Sequence, residues 1–121
     1  MKGDIIRSKS LKFAIRVVNL YKYLKIERKE FVMSNQVLRS GTSVGAMIRE
    51  AEFAESKSDF IHKLAIAQKE CNETLYWLEL LRNTDYLSKE MFESLNYDTV
   101  ELMKLITSSI KTAKNSLTTH H

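Results

Sequence analysis

The chain has 121 residues, 44% of them hydrophobic and 28% charged, with a net charge of +4, three glycines, one cysteine and no proline. That length fits one domain with a real core, and the scarcity of turn residues argues against a sheet protein and for long helices. A single cysteine excludes an internal disulfide, no uncharged run approaches the roughly 20 residues of a membrane span, and the first residues lack the apolar stretch of a secretory signal, so the chain reads as cytoplasmic with no membrane partner.

Four helices are expected, at about 8–27, 31–54, 57–83 and 89–114. The first carries Ile6, Ser10, Phe13, Val17, Leu20 and Leu24 at spacings of 4, 3, 4, 3 and 4, the period of one helical face. Ser8 or Ser10 is its expected N-cap. Charge concentrates here: residues 1–30 hold nine Lys or Arg against three Asp or Glu, and the other 91 hold ten against twelve. Lys9, Lys12 and Arg16 share one face, while Lys22, Lys25 and Lys29 share another. Two readings stand side by side, an ordinary solvated face and a surface that contacts phosphates, strengthened where several copies assemble.

The second helix spans the run QVLRSGTSVGAMIREAEFAE from Gln36 to Glu55. Val37, Gly41, Val44, Ile48 and Ala51 keep helical spacing, although each interior glycine costs about 1 kcal/mol against alanine. Two glycines four apart therefore predict a close approach of a neighbouring helix; the competing reading is a loop broken at Ser40 to Ser43. Ser56, with Asp59 three residues on, predicts a capping-box start for the third helix. Phe60, Leu64, Ala67, Cys71, Thr74, Leu78 and Leu81 then hold heptad spacing, the inward seam of a bundle. Ile66, Tyr76, Trp77 and Leu80 fall outside that seam, and Tyr76, Trp77 and Leu80 are the expected subunit interface.

Ser88 is the expected cap of the fourth helix, whose stripe is Phe92, Leu95, Thr99, Leu102, Ile106 and Ala113, with Met103 and Ile110 beside it. Lys111 and Lys114 are placed near its end, where they suit the helix dipole, with a frayed tail from Asn115. Short links between long helices favour antiparallel neighbours, hence an all-α, antiparallel up-down-up-down four-helix bundle. His120 and His121 are set aside as the possible start of an expression tag.

Chemical motifs are scarce. The inward Glu-x-x-His pairs of di-iron bundles are missing, as are a glycine-rich phosphate loop, a nucleophile elbow and a Cys-x-x-Cys. Asp59 and His62 sit three apart, yet His62 lies opposite the seam. Glu70 and Glu73 are read as a solvated edge or as ion-pair partners of Arg39 or Arg49. Cys71 reads as a core thiol. No catalytic residue, metal or cofactor is expected.

The runs QVLRSGTSVGAMIRE (Gln36 to Glu50), SKSDFIHKLAIAQKE (Ser56 to Glu70) and ETLYWLELL (Glu73 to Leu81) resemble the four-helix bundle proteins of the 23S rRNA-intervening sequence family. Its pattern is Q-L-x-R-S/A-x-x-S-I/V-x-A-N-I-x-E followed by S-K-x-D-F-I-x-K-L-x-I-A-x-K-E-x-x-E-T-x-x-W-L. The family also includes accessory variability proteins of diversity-generating retroelements. The resemblance implies a homopentamer of antiparallel bundles, a basic surface directed at RNA or DNA, and no catalysis. Under it, Lys9, Lys12, Arg16, Lys22 and Lys25 are candidates for phosphate contact. Gln36, Arg39, Ser43, Glu50, Glu70 and Glu73 are the matched polar positions, serving either helix-to-helix networks or a ligand. The alternative is a protein-interaction scaffold, for example an accessory subunit of a reverse transcriptase. Met47 departs from the pattern, standing where the family has asparagine, so a hydrogen-bonding group is replaced by one that fills space.

Overall fold

A computed structural model describes residues 2–118; His120 and His121 lie outside the described residues. Four helices account for the expected architecture: α1 (Lys2–Ile26), α2 (Met33–Glu52), α3 (Lys57–Asn83) and α4 (Lys89–Thr118). Each packs on its chain neighbours, and α1 also meets α4, closing a four-membered ring around a shared core. Cross-links fix the antiparallel sense: Arg7 reaches Glu52, Lys63 reaches Glu50, and Lys57 reaches Ser116. The chain is therefore an antiparallel up-down-up-down bundle, as its periodicity predicts.

The stripes of α1 and α2 are buried along their whole length, and those of α3 and α4 except for half-buried Phe60 and Phe92. Ile110, expected beside the α4 stripe, belongs to it. The core divides in two. One half gathers Phe13, Val17, Ile48, Leu64, Cys71 and Ile106, the other Leu20, Leu24, Val37, Leu78, Leu81 and Leu95. Between them lies a buried hydroxyl layer of Ser40, Thr74 and Thr99. The Thr74 hydroxyl is 2.8 Å from the Glu70 carbonyl, which only accepts, so its proton goes there and Ser40 Oγ, 2.9 Å away, donates to it. Thr99 donates to the Leu95 carbonyl at 2.8 Å. One side-chain hydrogen bond thus pins α2 to α3 at mid-height.

Glycine spacing has the consequence expected of it at one position. A Cβ on Gly41 would stand 2.7 and 2.8 Å from the two γ-methyls of Val17, whereas one on Gly45 would meet Ser10 at 3.5 Å or more, an ordinary contact. Both glycines are helical, so the loop reading of Ser40 to Ser43 is excluded. Thr42 and Ser43 satisfy their hydroxyls on carbonyls one turn back, at Leu38 and Arg39.

The helix ends differ from expectation at several places. Neither Ser8 nor Ser10 caps α1, which begins at Lys2. Ser10 is buried, donates to the Arg7 carbonyl at 3.0 Å and faces Gly45, so its small size serves the α1–α2 crossing. Helix α2 starts at Met33 rather than 31 and stops at Glu52 rather than 54. Its first turn is capped from outside: the buried Glu30 carboxylate accepts from the backbone N–H groups of Val32, Met33 and Ser34 at 3.2, 3.1 and 2.7 Å. That negative charge also meets the positive end of the helix dipole. Helix α4 runs to Thr118, so Lys111 and Lys114 lie before its last turn and the chain does not leave the helix at Asn115.

Two caps stand as expected. Ser56 Oγ accepts from the Asp59 N–H at 3.0 Å, and Asp59 reaches back to the Glu55 N–H at 3.2 Å. Ser88 Oγ accepts from the Met91 N–H at 3.1 Å. Helix α3 closes with Asp85 at φ 69°, the Tyr86 N–H bonding the Leu81 carbonyl and the Asp85 N–H bonding the Arg82 carbonyl, the Schellman arrangement.

Candidate interaction surfaces

The basic side chains of α1 separate into partnered and exposed ones. Lys9 Nζ lies 3.1 Å from Glu101 of α4. Arg16 places one guanidinium nitrogen 2.6 Å from Asp98 and the other 2.9 Å from Ser94 Oγ. Lys25 donates to the Tyr21 hydroxyl at 2.8 Å and stands 5.0 Å from that ring's centre, a cation-π contact. Three of the five candidate phosphate contacts therefore already have partners in the protomer, while Lys12 and Lys22 are exposed. Each ion pair is more than one-third exposed, so its strength is modest and screened by salt.

The matched polar positions gather along the α2–α3 seam. Arg39 reaches Glu70 at 3.0 Å with one nitrogen and pairs with Glu73 through the other. Trp77 Nε1 donates to the same Glu73 oxygen at 2.9 Å. Further along, Glu50 pairs with Lys63 at 3.2 Å, Ser43 bonds the Arg39 carbonyl at 2.5 Å and Gln36 is half-buried. Of the two arginines offered by the sequence as partners of Glu70 and Glu73, Arg39 is the one that meets them. Met47 packs half-buried against the core, filling space where the family pattern has a polar amide.

Of the three side chains expected at a subunit interface, Trp77 packs half-buried against the core formed by Leu78 and Leu81, and Leu80 is half-buried. Tyr76 alone is exposed, its ring edge-on to Trp77 at 5.1 Å.

Chemistry finds little to act on. Cys71 is buried, and burial first, the Glu70 charge second, push its thiol up to about 12. It stays protonated at neutral pH, whereas the thiolate is the reactive form. Asp59 is occupied at the α3 cap and His62 is exposed. Among the described residues no three His, Cys, Asp or Glu side chains are placed to share a metal ion, and no helix is long and apolar enough to cross a membrane.

Two features went unread in the sequence. Opposite its core stripe, α1 carries Leu11, Ile15 and Ile26 at 51%, 54% and 66% exposure, with half-buried Val18 between them. Their spacing of 4, 3 and 8 is itself helical, so the signal was present but masked by the stronger core period on the same helix. The other feature is a groove where α1 meets α4, with cavities of 280 and 160 Å³ bordered by Leu20 and Leu95 and by Phe13 and Leu102. Arg16 and Lys9 cross it to reach α4.

A model of the family described as 23S rRNA-intervening sequence protein matches residues 4–108. A solved structure from Bacteroides thetaiotaomicron VPI-5482, described as a protein with unknown function from the S23 ribosomal protein family, is 61% identical to this chain. The match covers 92% of this chain and 99% of that one, with a TM-score of 0.91. Among curated proteins none matches.

Proposed function

The chain belongs to the 23S rRNA-intervening sequence protein family, and from that premise we propose that it is a non-enzymatic, cytoplasmic helical scaffold that assembles with copies of itself. One observation carries this reading: α1 has two apolar faces, and folding of the protomer buries only one. Leu11 and Ile15, one turn apart, and Ile26 beyond Lys22 on the same face are each more than half exposed, and apolar side chains gathered in water mark a binding surface. Light scattering over a concentration series tests it. Self-association gives a multiple of 14.1 kDa, five copies being the number the resemblance leads us to expect; a mass of one chain at every concentration overturns it.

A second reading adds a nucleic-acid backbone as the partner. It is favoured by the surplus of six positive charges in residues 1–30 and by the exposure of Lys12 and Lys22, which assembly would repeat around the particle. The family is described by reference to 23S rRNA, which makes structured RNA the first polymer to try and duplex DNA the second. Titration at several salt concentrations is the test: the logarithm of affinity falls linearly with the logarithm of salt, by about 0.9 per duplex phosphate neutralised. Lys12→Glu with Lys22→Glu weakens binding while the helix content holds; an unchanged affinity removes that face from the reading.

A further inference from the structure

We propose that the end of the bundle where α1 and α3 begin is a binding site for a small neutral aromatic molecule carrying one hydrogen-bond donor, a molecule of the size and polarity of indole. The site belongs to the single protomer and stands whether or not copies assemble. A cavity of 240 Å³ opens there, and all four helices contribute to it. Ile6, Ile48, Ala51 and Leu64, all buried members of the core, form its walls together with half-buried Phe60. An apolar cavity of about 150 Å³ takes up benzene. This one therefore has room for a ring system somewhat larger, and the Phe60 ring offers it an aromatic neighbour.

The polar part of the lining sets the second half of the ligand's description. Glu52, Ser109 and Thr112 border the cavity. A carboxylate only accepts, and a hydroxyl accepts even while it donates elsewhere, so the polar groups around this apolar body suit a donor. Glu52 is the one charged residue of the lining, which disfavours an anion. Arg7 meets Glu52 at 3.5 Å, but both side chains are solvated and such a pair is weak. Gly3 supplies an independent observation. It is helical, its φ is not positive, and a Cβ built on it would meet no atom within 4 Å. Neither backbone conformation nor close packing asks for glycine there, in contrast to Gly41, which Val17 crowds. What the missing side chain does is leave the border of the cavity uncovered.

The test titrates the full chain with indole, read by calorimetry and by the methyl resonances of the core. Binding saturates with a Kd of about 1 mM or below, within reach of a ligand of this size, and the shifts concentrate on Ile6, Ile48 and Leu64. Gly3→Leu lays a side chain over the border of the cavity, where there is room for it, and weakens indole at least about tenfold while the melting point holds. Benzoate, of similar size but anionic and without a donor, binds at least about tenfold more weakly than indole. Ser109→Ala with Thr112→Val removes both hydroxyls and little volume; it weakens indole and leaves toluene, which has no donor, unchanged. The proposal is overturned if indole does not saturate, or if the shifts centre on Leu20, Leu78 and Leu95 in the other half of the core. It is overturned equally if Gly3→Leu keeps the parent's affinity, or if benzoate binds as well as indole. The mass of the parent chain, whichever way it falls, decides the self-association reading and leaves this one to the titration.

Discussion

On one side of α1 the neighbouring helix comes so near that the γ-methyls of Val17 occupy the space a side chain at position 41 would need. On the other side, cavities open between α1 and α4, and Lys9 and Arg16 reach across to Glu101 and Asp98. The same helix thus takes part in a close, shape-determined contact and in a looser one bridged by charge. Close contacts gain dispersion and exclude water over their whole length but tolerate no added volume. Charged bridges between half-exposed side chains tolerate change and contribute little. Specificity of the fold accordingly resides on the α1–α2 side.

The largest effect that would break this contrast comes from volume at position 41. Gly41→Leu forces its side chain against Val17, whose branched Cβ leaves it one favoured rotamer in a helix. We expect a loss of about 3 kcal/mol in chemical denaturation, the upper part of the range for overpacked cores. A stability equal to the parent's would mean the seam is slack.

Next in size, and opposite in sign, is Gly45→Ala. Its added methyl has ordinary clearance from Ser10, and alanine is favoured over glycine in a helix interior, so the melting point should rise with a gain of up to about 1 kcal/mol. A loss comparable to that at position 41 would show that the seam is tight along its whole length and not only at Val17.

Smallest is the charged bridge. A double-mutant cycle with Arg16→Ala and Asp98→Ala should return a coupling of about 0.5 kcal/mol at low salt that fades toward zero in molar salt. A coupling several times larger and insensitive to salt would place this pair among the determinants of the fold.

Which parts of this were legible in the sequence follows from how far each signal travels along the chain. A core stripe repeats every three or four residues, so the spacing of apolar and small side chains alone marks all of α1's inward positions, from Ile6 to Leu24. Ser56 and Ser88 cap the helices that follow them directly, and were legible for the same reason. Glu30 was not, because its carboxylate reaches the first turn of α2 from outside the helix, and an acid in a charged link carries no mark of that use. Ser10 misled: serine is common at helix starts, but here small size near Gly45 was the requirement. Among the candidate surface residues, basic character identified Lys9 and Arg16 without revealing that α4 supplies Asp98 and Glu101 opposite them, a pairing between positions 82 and 92 residues apart. The outward stripe of Leu11, Ile15 and Ile26 was periodic too, yet one helix with two apolar faces reads at first as a helix with one.

The ring of neighbours carries a kinetic implication. The α1–α2, α2–α3 and α3–α4 contacts are each made by a hairpin, closing short loops at small entropic cost, whereas α1 meets α4 only when the two ends of the chain come together. Loop-closure entropy therefore favours forming the three local hairpins before the circle shuts, an order that the φ-values of core substitutions in α1 and α4, expected below those in α2 and α3, would check. In reverse, the amides of α1 and α4 are the ones that a partial opening would expose to exchange while α2 and α3, joined through Ser40 and Thr74, remain protected.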